Sequence, residues 1–239
     1  MDIMNWRCSR FQDVCWKWDG SSICILDRNS QLTVVDGRRF VKNEKNSHFG
    51  VETVAKKTTS CSLNRVVWTA DDRLIVAATA DGTVCCFDGR TLSKVHEFAV
   101  HNGSCFSMSL SGDCRWMATG GADSMVNVFD LNHLIQEYAF TAGDSAVNEV
   151  AFNWNSKLIA SCSDDHSIKI GYLGGDVVVR KCIELKTQSP VHVMKWHPTK
   201  HMLAYSGVPD LSDPEHHNFT APSGGRMQYN VNIWGALKK

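Results

Sequence analysis

The residues of this chain whose types could do chemistry are a few serine, aspartate and histidine side chains. Ser163, Asp165 and His166 have the types found in a hydrolase triad, but they are near neighbours in one turn, whereas a triad needs three groups that converge in space. The sequence contains neither a Gly-x-Ser-x-Gly elbow nor a Gly-x-x-x-x-Gly-Lys-Ser/Thr phosphate loop. We therefore expect no catalytic residues and no enzyme activity. A hydrolase stays a minor alternative that would need convergent acidic or histidine groups.

Metal and redox sites are the next candidates. His192, His197 and His201 have no predicted helix to place them on one face, and the pair His216 and His217 stands apart, so we expect neither group to hold a metal. The ten cysteines contain no Cys-x-x-Cys pair, which argues against a zinc ribbon or a redox motif. Many lie in apolar, strand-like runs and are interpreted as buried and reduced. We expect no cofactor.

Charge and hydropathy narrow the classes further. The formal net charge is zero and the pI is about 7.1, which argues against a protein whose main task is to grip phosphate backbones. No apolar run approaches the roughly 18–20 residues needed to span a bilayer. The segment 1–7 lacks the basic region and apolar run of a secretory signal, so we expect an intracellular protein without membrane contact or a small-molecule substrate.

One pattern of short strands and turns recurs five times. The residues that end the first strand of each copy, called the first column, are Trp16, Trp68, Leu110, Phe152 and Trp196. Those near the end of the third strand, called the second column, are Val35, Phe87, Phe129, Gly171 and Trp234. The two columns are 19 residues apart in four copies and 38 apart in the fifth. A constant separation of this kind indicates stacked modules that bury their apolar faces against one another.

The strands and turns predict the architecture of each copy. Asp81-Gly82 is a hairpin signal because glycine tolerates the positive φ of a tight turn. Copies of about 42 residues with about four strands each indicate the blades of a β-propeller. We expect one all-β domain over residues 1–239. Its predicted blades cover residues 11–57, 58–100, 101–142, 143–186 and 187–239.

The third and fourth copies resemble WD40 repeats. Residues 117–123 followed by 126–130 are similar to the family's Leu-Ala-Ser-Gly-Ser-x-Asp-x-x-Val-x-x-Trp-Asp line, and residues 159–170 are similarly close. The resemblance implies an all-β WD40 propeller. Members of the family normally have seven blades. Five copies therefore imply either a partial propeller that lacks two N-terminal blades or a compact five-blade ring. Residues 3–10 would add an outer strand to a missing preceding blade in the first case and to the fifth blade in the second.

The family also carries a His–Ser/Thr–Asp–Trp hydrogen-bond set that ties a blade together. The matching positions of the third copy are His101, Thr119, Asp123 and Phe129. Phenylalanine has no N–H to donate, so the set loses one member there. The fourth copy keeps Ser161 and Asp165 and has Gly143 and Gly171 at the other two places. The resemblance implies that these residues stabilise the blades.

Within the family, the last three copies most resemble the WD40 subunits of THO-type mRNA-export assemblies. The resemblance rests on the turn 164–166, the small residue Gly171, the segments 195–198 and 203–204, and the closing strand 231–235. It implies a nuclear scaffold that binds other protein subunits and acts in mRNA processing and export. A WD40 adaptor of another intracellular complex is the less favoured alternative.

Two insertions into the repeat are candidate contact regions, because loops on a repeat scaffold tend to carry function. The fifth copy gains 19 residues within 207–227. The candidate partner contacts there are His216, His217, Phe219 and Arg226. The first copy is ten residues longer, around 36–59, and this predicted loop is basic. Its candidate contacts for RNA or an acidic partner are Arg38, Arg39, Lys42, Lys45, Lys56 and Lys57. In both regions a solvated connector without a role is the alternative.

Overall fold

All regular secondary structure that the computed structural model describes is β-strand. The described residues are 11–42, 49–133, 135–173, 182–207 and 230–235, and among them no helix is long and apolar enough to cross a membrane. Predicted contacts at positions 45, 216, 217, 219 and 226, and the predicted outer strand over 3–10, lie outside the described residues.

The strands form five separate antiparallel sheets, each a meander in chain order. The first sheet contains β1 (Phe11–Trp16), β2 (Ser22–Asp27), β3 (Gln31–Lys42) and β4 (Phe49–Thr58). The second contains β5 (Leu63–Trp68), β6 (Leu74–Thr79), β7 (Thr83–Asp88) and β8 (Lys94–Ala99). The third contains β9 (Cys105–Leu110), β10 (Trp116–Gly121), β11 (Met125–Asp130) and β12 (Ile135–Thr141). The fourth contains β13 (Val147–Phe152), β14 (Leu158–Ser163), β15 (Ser167–Tyr172) and β16 (Cys182–Lys186). The fifth, with three described strands, contains β17 (Val191–Trp196), β18 (Met202–Gly207) and β19 (Asn230–Gly235).

The two columns of the sequence repeat lie on one line across each sheet. Trp68 at the end of β5 is opposite Ile75, and Ile75 is opposite Phe87 on its other side. In the fifth sheet the same line runs from Trp196 through Leu203 to Trp234, despite the insertion between β18 and β19. The predicted strand ends are therefore confirmed. They hold because alternating apolar residues specify register wherever a sheet face is buried.

In the first four sheets, the first two hairpin turns each use a residue with positive φ at a repeating position. Four residues after the first column these are Gly20, Asp72, Cys114 and Ser156. Fourteen residues after it they are Ser30, Gly82, Ser124 and His166. The prediction for Gly82 is confirmed, since its φ is 82°. The other turns place serine, aspartate, cysteine or histidine in the left-handed region. The turn geometry is thus kept by hairpin length rather than by glycine alone.

The chain divides into two compact units, Met1–Phe106 and Ser107–Lys239. In the first unit, apolar residues of the first two sheets form one buried cluster around Leu26, Leu32 and Phe87. In the second unit, one cluster includes Val128 and Val150 of adjacent sheets, and another surrounds Met194. The core therefore lies between neighbouring sheets and not within any one of them, as the repeat pattern requires.

The long connection of the first copy is not the loop that the sequence suggested. Instead β3 continues to Lys42 and pairs with β4 after a shift in register between Asp36 and Phe40. Alternating valine, threonine and phenylalanine residues favour extended backbone here, so the extra residues lengthen a hairpin. Five of the basic candidates are strand residues in this structure: Arg38, Arg39, Lys42, Lys56 and Lys57. Lys42 is the last residue of β3.

Candidate interaction site

Neighbouring sheets within each unit are joined by a hydrogen bond at one position of the repeat. Asp13, three residues before the first column, accepts the backbone N–H of Val66 in the next sheet, with Oδ2 at 2.9 Å from the nitrogen. The equivalent bonds of the second unit run from Val150 N–H to Ser107 Oγ at 2.8 Å and from Met194 N–H to Glu149 Oε2 at 2.6 Å. The first strand is an edge strand of its sheet, so these N–H groups have no strand partner of their own. The bond therefore sets how one sheet stacks on the next.

A second repeating bond joins the turns that follow the first column. The backbone N–H of Trp18 donates to Asp72 Oδ1 at 2.8 Å, and that of Gly112 donates to Ser156 Oγ at 2.9 Å. Each acceptor is a residue with positive φ in the next turn. These bonds join the turns of the first and second sheets and those of the third and fourth, and the site described next lies beside the first of these pairs.

A groove of about 520 Å³ opens between the first two sheets at this edge. Its apolar wall contains Val34 and Val54 of the first sheet and Trp68 of the second. Gly89 lines the groove as well. A side chain does not fit at this position, because a Cβ there would overlap the ring of Trp68. The groove thus combines an apolar wall with a rim made from hairpin turns, which is the general composition of binding sites in proteins.

The carboxylates of the rim are engaged by the protein itself. Asp72 accepts the Trp18 N–H and lies 4.0 Å from Lys17 Nζ. Asp88 accepts the backbone N–H groups of Arg90 and Thr91 at 3.0 and 2.8 Å, and these bonds, with that from the Thr91 hydroxyl, lower the pKa of Asp88. The Asp88 carboxyl therefore stays ionised, and both carboxylates shape the rim through their hydrogen bonds.

The arginines of the rim differ from the carboxylates. Within the described part of the chain, the guanidinium groups of Arg73 and Arg90 make no hydrogen bond or ion pair, although both line the groove. A guanidinium presents a planar fork of donors that suits a carboxylate. Arg73 and Arg90 are therefore the groups of the rim that can pair with an acidic group of a ligand.

The candidate blade-network residues lie on strands and turns as follows. In the third copy, Thr119 on β10 and Phe129 on β11 are buried, and Asp123 in the turn accepts the N–H of Met125 at 3.2 Å. His101, which is buried, donates its backbone N–H to the carbonyl of Gly82 at 3.0 Å. The structure thus places these residues in buried or turn positions. Their joint role as a network stays a prediction.

In the fourth copy the family pattern pairs Asp165 with Ser161, but the structure bonds Asp165 to the hydroxyl groups of Ser163 and Ser167. Asp165 Oδ1 accepts the hydroxyl of Ser167 at 2.6 Å, and its backbone N–H donates to Ser163 Oγ. Burial opposes ionisation of Asp165, but these hydroxyl bonds outweigh it and lower the pKa. Ser161 is buried, and its hydroxyl has no hydrogen-bond partner among the described residues.

The remaining chemical candidates make separate contacts. Ser163 donates its hydroxyl to the carbonyl of Ser145 at 3.4 Å, so it is engaged in its turn. His197 Nδ1 accepts the N–H of Thr199 at 3.1 Å, and His201 Nδ1 lies 3.2 Å from the amide nitrogen of Asn153. In the described ranges no three histidine, cysteine, aspartate or glutamate residues are grouped so that they could hold a metal.

The basic residues of the β3–β4 hairpin are only partly available. Arg38 is engaged with Asp36, at 3.2 Å from Nε to Oδ1. Lys56 and Lys57 on β4 are exposed and make no ion pair within the described residues. The side chains at positions 39 and 42 are not described.

Sequence reasoning missed the groove and both stacking bonds. Arg73 and Arg90 lie in turns of different hairpins, 17 residues apart, and only the fold brings them to one groove. The stacking acceptors are aspartate, serine and glutamate at one repeat position, so a search for identical residues overlooks them. Aligning the copies and looking for a position that holds a hydrogen-bond acceptor in three of the five would have found them.

Comparison with known protein families supports the repeat pattern and the sheets described above. The family model described as "WD domain, G-beta repeat" matches residues 52–88, 92–130 and 135–170. Each match begins in or just before the outer strand of one sheet and runs through most of the next, so a repeat links two sheets. The chain therefore contains WD40 repeats over these residues, and its five antiparallel sheets have the form of WD40 propeller blades.

Two relatives match most of the chain. THO complex subunit 3 of Arabidopsis thaliana is 23% identical over 82% of this chain and 58% of its own length. WD repeat-containing protein AAC3 of Dictyostelium discoideum is 26% identical over 84% of this chain and 40% of its own length. WD repeat-containing protein 3 of Mus musculus is 30% identical over 43% of this chain and 12% of its own. The chain therefore spans less than two thirds of the length of each of these relatives.

Proposed function

We propose that this chain is a non-catalytic scaffold subunit of a nuclear mRNA-processing and export assembly of the THO/TREX type. The observation that carries the proposal is the groove on the WD40 repeats beside Arg73 and Arg90, whose guanidinium groups make no ion pair within the described residues. The similarity to THO complex subunit 3 supports the choice of assembly. In this role the groove binds a peptide segment of another subunit, and no step of chemistry is required.

In this proposal the apolar and the charged residues of the groove contact different side chains of the peptide. Val54, which is 55% exposed, contacts an apolar anchor of the peptide, and such anchors supply most of the energy of a small interface. Arg73 and Arg90 pair with an acidic side chain and fix its orientation. The rim carboxylates Asp72 and Asp88 are negatively charged, so they repel a second acidic group placed further along the groove. The chemistry thus favours one acidic residue next to an apolar one.

Purification of the tagged chain from nuclear extract tests the proposal. Wild-type protein is expected to recover identified THO-type subunits in fixed stoichiometry, and the variant Arg73→Ala/Arg90→Ala is expected to lose them. Arg28→Ala is the matched control, because Arg28 is an exposed arginine in a turn away from the groove. Recovery of the chain as a free monomer, or of a different WD40-containing assembly in its place, would contradict the THO-type role.

A second candidate function is direct contact with RNA through the β3–β4 hairpin. The specific observation is that Lys56 and Lys57 are exposed and have no carboxylate partner within the described residues, whereas Arg38 is held by Asp36. Binding of a single-stranded RNA through lysines weakens with salt, with a logarithmic slope of about 0.7 per phosphate contacted.

Fluorescence anisotropy with a labelled single-stranded RNA over a range of salt concentration tests this contact. Lys56→Ala/Lys57→Ala is expected to weaken binding and reduce the slope by about 1.4 if both lysines contact phosphates. Lys200→Ala is the control, since Lys200 is exposed in a turn of the fifth sheet. Binding that is unchanged in the double variant would remove the RNA hypothesis and leave the scaffold proposal intact.

A further inference from the structure

Two cysteines face each other across the hairpin of β1 and β2. Cys15 on β1 and Cys24 on β2 are directly opposite in the register of these antiparallel strands. The side chains of residues opposite each other in this way lie next to each other on one face of the sheet. Both cysteines belong to the apolar contact between the first two sheets, where Cys24 is fully buried and Cys15 is partly exposed.

The separation of the two strands suits a disulfide. Opposite residues of an antiparallel pair have Cα atoms about 4.5 or 5.5 Å apart, and the Cα atoms of disulfide-bonded cysteines are usually about 4.4–6.8 Å apart. A bond between Cys15 and Cys24 therefore needs no change of register. The two residues are nine positions apart in the sequence, so they form no Cys-x-x-Cys motif and only the strand pairing brings them together.

The two thiols are in contact in the reduced protein. Both cysteines are free, and a hydrogen bond joins their side chains. This bond and burial raise the pKa of Cys15 well above its ordinary value. A thiol reacts as its thiolate, so Cys15 reacts slowly at neutral pH and faster as pH rises. Once one sulfur atom has been oxidised, the other already lies in contact with it.

The repeat does not require cysteine at these two places. The second, fourth and fifth sheets have the same register at the end of their first strand, and their equivalent pairs contain no cysteine: Val67 with Val76, Ala151 with Ala160, and Lys195 with Ala204. Aliphatic side chains thus serve the fold at this position. The facing thiols of the first sheet add a chemistry that the fold does not need.

We infer that Cys15 and Cys24 form a reversible disulfide site that is oxidised by a peroxide. The Cys15 thiolate attacks the peroxide first, because Cys15 is the partly exposed member of the pair. An S–O bond forms, the O–O bond breaks, the sulfur gives two electrons to the peroxide, and one water is released. The Cys24 sulfur then attacks the Cys15 sulfenic acid, so that an S–S bond forms, the S–O bond breaks, and the thiol proton leaves with hydroxide as water. Two thiols and one hydrogen peroxide give one disulfide and two waters.

The disulfide closes a covalent ring around the turn between β1 and β2. The ring contains Lys17 and Ser22, which line the groove. Closing it restricts the unfolded chain, so the oxidised protein is expected to be more stable than the reduced one. A thiol reductant reverses the bond by exchange. The thiol pair belongs to the hairpin and is present whether or not the groove binds a peptide.

Peptide mapping without reductant tests the site on the folded full chain. Trypsin cuts after Lys17, which separates peptide 11–17, whose only cysteine is Cys15, from peptide 18–28, whose only cysteine is Cys24. After treatment with hydrogen peroxide and blocking of free thiols, the wild type is expected to give these two peptides linked. Dithiothreitol is expected to separate them. The rate of linkage is expected to rise about tenfold for each pH unit between pH 7 and 9, as the thiolate fraction does.

Three single variants separate the roles of the two thiols. Cys24→Ala is expected to stop at the Cys15 sulfenic acid, which dimedone traps, and Cys15→Ala is expected to leave Cys24 reduced. Cys182→Ala is the matched control, because Cys182 is an exposed cysteine on β16, and it is expected to form the disulfide like the wild type.

Urea unfolding gives an independent measurement. Oxidation is expected to raise the urea midpoint of the wild type and of Cys182→Ala, and to leave that of Cys24→Ala and Cys15→Ala unchanged. Circular dichroism establishes that each variant is folded before treatment. Folded wild-type protein that gives no linked peptides at pH 9, or in which dimedone traps Cys15 although Cys24 is present, would overturn the inference.

Discussion

Glu149 on β13 accepts the backbone N–H of Met194 on β17, with 2.6 Å between Oε2 and the nitrogen. The bond joins two sheets that share no strand pairing, and Glu149 also holds Lys195 Nζ at 2.6 Å through its other oxygen. Asp13 and Ser107 make the corresponding bond in their own sheets. A side chain that pairs the edge of the next sheet thus stabilises stacking at three junctions.

Removing the Glu149 acceptor is expected to destabilise the protein. Glu149→Ala leaves the buried N–H of Met194 without a partner, which costs about 1–3 kcal/mol in the free energy of unfolding. Glu149→Gln keeps an acceptor and is expected to cost less. Lys195→Ala is the control, because the Lys195 side chain is 72% exposed and such pairs contribute only about 0–1 kcal/mol. Urea unfolding measures all three; equal losses for Glu149→Ala and Lys195→Ala would contradict the stacking role.

Two glycines with similar backbone angles separate the effect of φ from that of crowding. Gly82 and Gly20 have φ of 82° and 69°. A Cβ at Gly82 would overlap the carbonyl oxygens of His101 and Gly103, whereas a Cβ at Gly20 meets nothing within 4 Å. Gly20→Ala is expected to cost about 1–2 kcal/mol from the left-handed backbone alone. Gly82→Ala is expected to cost about 1–3 kcal/mol more in thermal or urea unfolding. Equal losses of stability in the two variants would show that the backbone near Gly82 moves to make room for the added methyl group.

The thiols are expected to differ in reactivity according to burial. Burial raises the pKa of Cys162 to about 12 and that of Cys86 to about 11, while Cys182 is exposed on β16. At neutral pH a thiol reagent is expected to label Cys182 in the native protein and to reach Cys162 and Cys86 only after unfolding. Peptide mapping by mass spectrometry identifies the labelled sites. Early labelling of Cys162 would contradict the packing of the fourth sheet.

The same thiols predict how stability changes in alkali. The folded pKa of Cys162 lies above its ordinary value of 9.0, so the folded state keeps a proton that the unfolded chain releases. This contribution to stability is complete below pH 9 and is lost as pH rises from about 9 towards 12. Urea midpoints of Cys162→Ala are expected to fall less steeply over that range than those of the wild type.

The Asp165 carboxyl predicts that the stability of the protein falls in acid, whereas the buried thiols predict that it falls in alkali. Hydroxyl groups of Ser167 and Ser163 outweigh burial and hold the pKa of Asp165 below its ordinary value of 3.8. The stability it contributes is therefore complete above that value and is lost as pH falls through the lower folded pKa. Asp165→Asn and Ser167→Ala are each expected to flatten this part of the stability profile, measured by urea unfolding between pH 2 and 6. A steep acid profile in both variants would assign the effect to other carboxylates.

The strands and turns could be predicted from the sequence because the same pattern of residues recurs in every copy. The ends of β5 and β17, the line from Trp68 to Phe87 and the left-handed Gly82 follow from alternating residues and turn chemistry, which act over a few positions and recur in every copy. The resemblance of residues 117–130 and 159–170 to WD40 repeats was confirmed by the family match over 92–130 and 135–170. The extra residues of the first copy were misread as a loop, because composition does not show how far two strands stay paired.

The amino-acid sequence by itself determined the strands, the turns and the apolar faces of the five sheets, since these depend on neighbours a few positions apart. Only the tertiary structure decided which groups of different sheets meet. It paired the Asp13 carboxylate with the N–H of Val66, brought Arg73 and Arg90 to one groove, and left Val14 and Ile233 exposed where their equivalents are buried. Contacts between sheets join residues some 40 to 55 positions apart, and no local propensity specifies such a pairing.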